Sequence, residues 1–198
     1  ASPCVAVAHD PFPDPERYYI YAAGGFDAGR RVLDRVEVID VEIRSNGKQI
    51  MGTWRDAGVR LSEPRYECGG YVVQSGLHTV VDPEEAWVFF VGGRDHTKTL
   101  GNVDTGRVGT LGALMEWDTI SPIREPRAGF GVLSASDFLY AFGGSQSRPS
   151  KTGASANLAY FPEVQNWNSL STSMSRWRYL TSAAQESAVV VVGGGSTT

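Results

Sequence analysis

Arginines recur behind tryptophans in this chain. Trp54 is followed by Pro64-Arg65, Trp117 by Pro126-Arg127 and Trp167 by Ser175-Arg176, with Trp-to-Arg gaps of 11, 10 and 9 residues. A guanidinium presents a planar fork of donors that matches a carboxylate or phosphate, and the same fork caps backbone carbonyls. Arg65, Arg127, Arg176 and Arg178 are therefore candidates for holding an anionic group. For Arg65 and Arg127, capping of neighbouring carbonyls is an equal reading. Arg94, Lys98 and Arg107 join them from a long segment between predicted strands, and Trp177, beside Arg176, is an aromatic contact candidate.

Other chemistry is less developed. His9, His78 and His96 are too scattered to define a metal site, and no Ser, His and Asp are arranged as a triad. Asp82, Glu84 and Glu85 read as a solvated turn, with a paired-carboxylate site as the alternative. The terminal Val-Val-Val-Val-Gly-Gly-Gly lacks the lysine and following helix of a phosphate loop. No catalytic residue, metal ligand or cofactor is assigned. Cys4 and Cys68 are expected to be small buried strand residues rather than a disulfide framework or a metal pair, which leaves the compartment open.

The elements that must position these residues are strands. Four β-prone runs end in a glycine doublet: Tyr18 to Gly25, Ala86 to Gly93, Phe138 to Gly144 and Val189 to Gly194. The first glycines are 68, 51 and 50 residues apart. Each arginine precedes a run rich in small residues, and Cys4 to Asp10 supplies such a run for the first repeat. Val36–Ile43 alternates with the period of two of a half-buried strand, and Asn157–Phe161 is expected to be the corresponding strand of the third repeat. Trp54, Trp117 and Trp167 are expected to pack between repeats, and Trp87 within a core strand.

Four doublets, three with Trp and Arg at near-constant offset, make a repeat of four strands that resembles the kelch repeat along essentially the whole chain. The resemblance implies an all-β propeller with blades set around a channel, the small-residue strand innermost. The chain is then one partial domain, 1–198, with repeats at roughly 1–60, 61–122, 123–172 and 173–198: about three and a half blades of a ring of six or seven. Together with the absence of an initiating Met, this suggests a mature form or a fragment, with another chain or further blades closing the ring. Copper radical oxidases similar to galactose oxidase use a Tyr beside a His, and plant specifier proteins carry Glu, Asp and Cys at four-residue steps; neither pattern occurs here.

The resemblance also places the loops after each doublet (26–34, 94–113 and 145–156) on the same face as the entries to the inner strands. That face carries twelve cations against six anions, although the whole chain has a formal charge of −4. The expected function is a non-catalytic interaction or scaffolding module whose basic face meets an acidic peptide or protein, or an anionic polysaccharide, as some kelch domains hold acidic peptides with arginines. The alternatives are a kelch-type enzyme with most of its site on other blades and a structural subunit of a larger assembly. The acidic balance disfavours nucleic acid, and the longest apolar runs have the length of strands rather than of membrane spans.

Overall fold

The computed structural model describes residues 2–10, 17–74, 85–135, 137–146, 148, 150–158, 166–176 and 178, and the backbone of 183–186 and 189–192. Among them there is no α-helix, and the chain forms a series of antiparallel sheets. Sheet 1 holds β1 (Cys4–His9), β2 (Arg17–Ala23) and β3 (Arg35–Ile43). Its fourth position is split into β4 (Gln49–Met51) and β5 (Arg55–Arg60), both paired with β3. Sheet 2 runs β6 (Gly69–Gln74), β7 (Ala86–Val91), β8 (Val103–Val108) and β9 (Leu114–Ile120). Sheet 3 runs β10 (Gly131–Ala135), β11 (Phe138–Phe142), β12 (Gly153–Asn157) and β13 (Trp167–Ser169), and β14 (Ala183–Glu186) pairs with β15 (Val189–Val192).

The first strands of successive sheets are neighbours: β1 lies beside β6, β6 beside β10 and β10 beside β14. Sheets joined strand by strand and stacked through their first strands are the blade arrangement of a β-propeller. Alternation on each strand explains the stacking. Cys4, Ala6 and Ala8 are buried while Val5 and Val7 are exposed, so β1 offers one side to sheet 2. Tyr19, Tyr21, Val36 and Val38 meet Val72, Val88 and Phe90 between sheets 1 and 2. Trp87, Phe89 and Val91 meet Leu139, Ala141 and Trp167 between sheets 2 and 3. Sandwiched on both sides, β7 (Ala-Trp-Val-Phe-Phe-Val) is buried at every position. Burying one such side chain contributes about 1.5–3 kcal/mol.

The glycine doublets lie where one sheet meets the next. Gly25, Gly93 and Gly144 donate their N–H to the carbonyls of Arg65, Arg127 and Arg178 at 2.8, 2.8 and 2.9 Å. Gly92 sits at φ +60°, and a Cβ there would come within 2.7 Å of the Arg127 carbonyl oxygen, so only glycine allows the approach. The same bond corrects the repeat alignment. The residue equivalent to Arg65 and Arg127 is Arg178, not Arg176, because Arg178 supplies the carbonyl to the third doublet.

Several expectations are revised. Cys4 and Cys68 form a disulfide across sheets 1 and 2, with Cα atoms 5.2 Å apart. The long loops are shorter than 94–113 and 145–156, because β8 and β12 begin at Val103 and Gly153. The third strand of the third repeat accordingly lies at Gly153–Asn157, ahead of the expected Asn157–Phe161. Trp117 does link sheets: its Nε1 donates to the Arg60 carbonyl at 2.8 Å and its ring lies 6.3 Å from Phe90. Trp167 and Trp87 are buried as expected, but Trp54 is 51% exposed in the break between β4 and β5.

Candidate binding face at the loop ends of the sheets

The segments after the doublets and the entries to β6 and β10 converge at one end of the sheets. Short backbone bridges tie them together: Tyr66 to Arg94, Ala128 to Ser145 and Ser150 to Arg178. Two aspartates fold the tips. Asp27 accepts the Arg31 N–H at 2.9 Å, and Asp95 accepts those of Thr97 and Lys98 at 2.6 and 2.7 Å. These backbone donors hold both carboxyls below the usual carboxylate range.

Arg65 and Arg127 enter sheets 2 and 3 at equivalent positions, and both are buried, at 0% and 2% exposure. Arg65 pairs with the fully buried Asp104 of β8 and reaches the Phe90 carbonyl at 3.4 Å. Asp104 also accepts from the hydroxyls of Thr119 at 2.7 Å and Ser62 at 3.2 Å. Arg127 donates to the carbonyls of Gly143 at 3.0 Å and Thr152 at 3.1 Å, and to Glu125 at 3.1 Å. Burial pulls both guanidinium pKa values down, opposed by Asp104 for Arg65 and by Glu125 for Arg127. The capping geometry is the one present; neither fork is turned towards solvent. A reversal of these two residues to Glu is therefore not a surface change that spares the fold, since it would bury carboxylates beside Asp104 and Glu125.

Arg94 and Lys98 lie over sheet 2. Arg94 pairs with Glu67 at 2.8 Å and sits 5.2 Å above the Tyr66 ring. Lys98 pairs with Glu63 at 2.8 Å, which raises its pKa. Phe26 packs on Tyr66 at 4.4 Å and on His96 at 5.5 Å, and His96 Nε2 lies 3.2 Å from the Arg30 carbonyl oxygen. A cavity of about 400 Å³ opens among Tyr66, Arg94, His96, Lys98 and Gln146, with its cations already neutralised.

A second cavity, of about 370 Å³, opens over sheet 3 and shares Gln146 with the first. Arg127, Arg148, Ser145, Ser150 and Thr152 line it, with Glu125 at one side. Of these, Arg148 is exposed, and like the exposed Arg124, Lys151 and Arg176 of the segments flanking sheet 3's strands it makes no ion pair with any described residue. Arg178 is half-buried and holds the 145–152 loop through its backbone. Trp177 lies outside the described residues.

Arg107 does not belong to this face. It lies on β8 opposite Trp87, at the far end of the sheet, and pairs with Glu116 at 2.5 Å and Glu85 at 3.7 Å. Glu85 also accepts the Trp87 indole N–H at 3.1 Å. Asp82, Glu84 and His78 lie outside the described residues, and His9 sits edge-on to Tyr18 at 5.1 Å. Sequence reasoning counted Glu63 and Asp104 among the acids of the face but not their pairing with Lys98 and Arg65, and it missed Glu67 and Gln146. Glu63 and Glu125 did leave a signal, each standing two residues before its arginine.

No family model matches the chain, and no curated protein matches it. What the fold defines is an all-β chain of four-stranded, blade-like sheets, whose loop face is polar and cationic over sheet 3.

Proposed function

We propose that the chain is a run of kelch-type blades working as a non-catalytic binding module, with an acidic protein segment held over sheet 3. The observation that carries this reading is the contrast in charge between the two cavities. Cations over sheet 2 are matched by Glu63 and Glu67, whereas Arg148, which lines the cavity over sheet 3, and the exposed Arg124, Lys151 and Arg176 of the segments flanking that sheet's strands have no counter-ion among the described residues. Exposed unpaired arginines attract carboxylates and speed encounter, and they incur no loss of an internal pair on binding. Ser145, Ser150 and Gln146 add neutral hydrogen-bonding groups to the same cavity. The Cys4–Cys68 disulfide fits a protein that meets its partner in an oxidising compartment.

Anisotropy of a labelled glutamate-rich peptide, titrated at low and high salt, tests this. Arg148→Glu with Lys151→Glu is expected to weaken binding by about tenfold or more and to flatten its salt dependence. Arg107→Glu, at the opposite end, is expected to leave both unchanged. Peptide affinity insensitive to salt and to the double substitution would rule the reading out.

A further inference from the structure

A third cavity, of about 160 Å³, lies between sheets 1 and 2 at the end away from the loop face. Arg17 and the buried Tyr19 of β2, Asp40 of β3, Arg55 of β5 and Leu111, from the turn between β8 and β9, line it. Its volume is that of about five waters in the liquid. The turn that forms one wall is fixed to the other sheet. Tyr21, fully buried, donates its hydroxyl to the Gly112 carbonyl at 2.9 Å, and Arg55 donates to that of Leu111. Gly112 meets a steric need, since a Cβ there would come within 2.6 Å of the Tyr19 ring. Leu111 lacks a glycine's freedom, yet it holds a left-handed φ of +57° while its side chain is 63% exposed. Strained backbone that gains no side-chain burial is the kind of constraint found at ligand sites.

Each cation of this cavity has an acid beside it. Asp40 accepts from Arg55 at 2.8 Å, and Glu42 lies 3.8 Å from Arg17. Behind the wall, the Tyr19 hydroxyl donates to the buried Asp10 at 2.9 Å. Arg17 also stands by that phenol and offsets part of the rise in its pKa. The cavity therefore presents a fixed array of guanidinium donors and carboxylate acceptors whose charges are already matched. An anion entering it would meet Asp40 and Glu42, and a cation would meet both arginines. A neutral group that donates and accepts at once disturbs neither pair.

We propose that this cavity binds a neutral sugar ring, the end residue of a glycan, with neighbouring hydroxyls donating to Asp40 and accepting from Arg17 and Arg55, and with its C–H face against Leu111. Adjacent hydroxyls match an acceptor set between two donors, because each hydroxyl serves in both senses. A few fixed polar groups beside an apolar side chain are what orients a small ligand. The cavity stands at the opposite end of the sheets from Arg148 and Lys151, so the proposal is independent of the acidic-segment reading.

The test is an array of neutral and acidic glycans probed with the whole chain, clustered by an antibody so that weak single-site binding is read as avidity. Neutral glycans are expected to bind, and Asp40→Asn with Arg17→Gln is expected to weaken that binding about tenfold or more. Leu111→Gly suits the turn's backbone and is expected to keep the melting temperature while weakening neutral-glycan binding about threefold, which separates loss of the site from loss of the fold. Arg148→Glu with Lys151→Glu is expected to leave neutral-glycan binding unchanged. No binding to neutral glycans would overturn the proposal. So would binding confined to acidic glycans, or neutral-glycan binding that survives the substitutions at Asp40, Arg17 and Leu111.

Discussion

The arginines that enter sheets 2 and 3 stand at the same point of the repeat and are held by different means. Arg65 is paired with Asp104 from the third strand of its sheet, inside the protein. Sheet 3 has Ala154 at the position of Asp104, and Arg127 is held instead by the carboxylate of Glu125, two residues before it, and by the carbonyls of Glu125, Gly143 and Thr152. Thr119 supports Asp104 in one sheet, and the equivalent Ser169 supports Glu125 in the other at 3.2 Å. Moving the carboxylate from a buried strand to a part-exposed turn keeps the cap but changes the charge balance outside. In sheet 2, Glu63 is left over to neutralise Lys98; in sheet 3, Glu125 is used by Arg127, and Arg148 and Lys151 of the neighbouring loop find no acid among the described residues. A single relocated acid thus separates a neutral cavity from a cationic one.

The junctions between sheets differ in the same way. Cys4 and Cys68 bridge sheets 1 and 2. At the next junction the equivalent residues are Gly69 and Phe130, and a methyl added to Gly69 would come within 3.3 Å of the Phe130 ring. A covalent tie at one junction is replaced by aromatic packing at the other.

The sharpest way to separate the two arginine sites is to remove each acid. Asp104→Ala leaves a buried guanidinium without its counter-ion and is expected to cost about 3–5 kcal/mol in chemical denaturation. Glu125→Ala removes a part-exposed carboxylate and leaves Arg127 the carbonyls of residue 125, Gly143 and Thr152, and is expected to cost about 1 kcal/mol. Equal losses would mean that the two sites are not different in kind.

Next in size is the covalent tie. Cys4→Ala with Cys68→Ala closes no loop in the unfolded chain and is expected to cost about 2–4 kcal/mol. An unchanged denaturation midpoint would show that aromatic-type packing alone suffices at both junctions.

The smallest effect distinguishes the junctions by pH. Burial, with help from the hydrogen bond to Asp10, pushes the Tyr19 phenol up to about 12, and burial pushes Tyr21 up further. An unfolded tyrosine titrates near 10. The neutral phenols therefore contribute their full stability below about pH 10 and lose it as pH rises towards 12 and beyond. The equivalent residues facing sheet 3 are Trp87 and Phe89, which carry no titrating group. Unfolding midpoints measured from pH 9 to pH 12 should fall, and Tyr19→Phe should flatten the fall; a profile unchanged by the substitution would assign the alkaline loss to another group.

Much of the fold was legible in the chain before any tertiary contact was known. Strand-forming runs that end in glycine pairs mark the second strand of every sheet, because only glycine tolerates the approach of the next sheet's carbonyl at Gly92. Small residues on β1, β6 and β10 mark the first strands, where neighbouring sheets crowd together. Strand bounds within long polar segments were less legible, since Val103–Val108 contains Asp, Thr, Gly and Arg and shows no alternation.

What the sequence by itself determined, then, is the repeat: the all-β class, the number of sheets begun, and Arg65 and Arg127 as residues that enter them, whereas Arg178 rather than Arg176 was settled only by its bond to the third doublet. What only the tertiary structure decided is the state of each charge and each sulfur. Cys4 and Cys68 are 64 residues apart, and nothing local aims one at the other. Arg65 and Arg127 look alike in their Pro-Arg dipeptides, yet Asp104 reaches Arg65 from 39 residues away through strand pairing. Arg107 carries the same charge as Arg94 but is turned to the opposite end once β8 forms. Charge and pairing depend on distance in space, and in a stack of antiparallel sheets that distance is set by register, which no single segment contains.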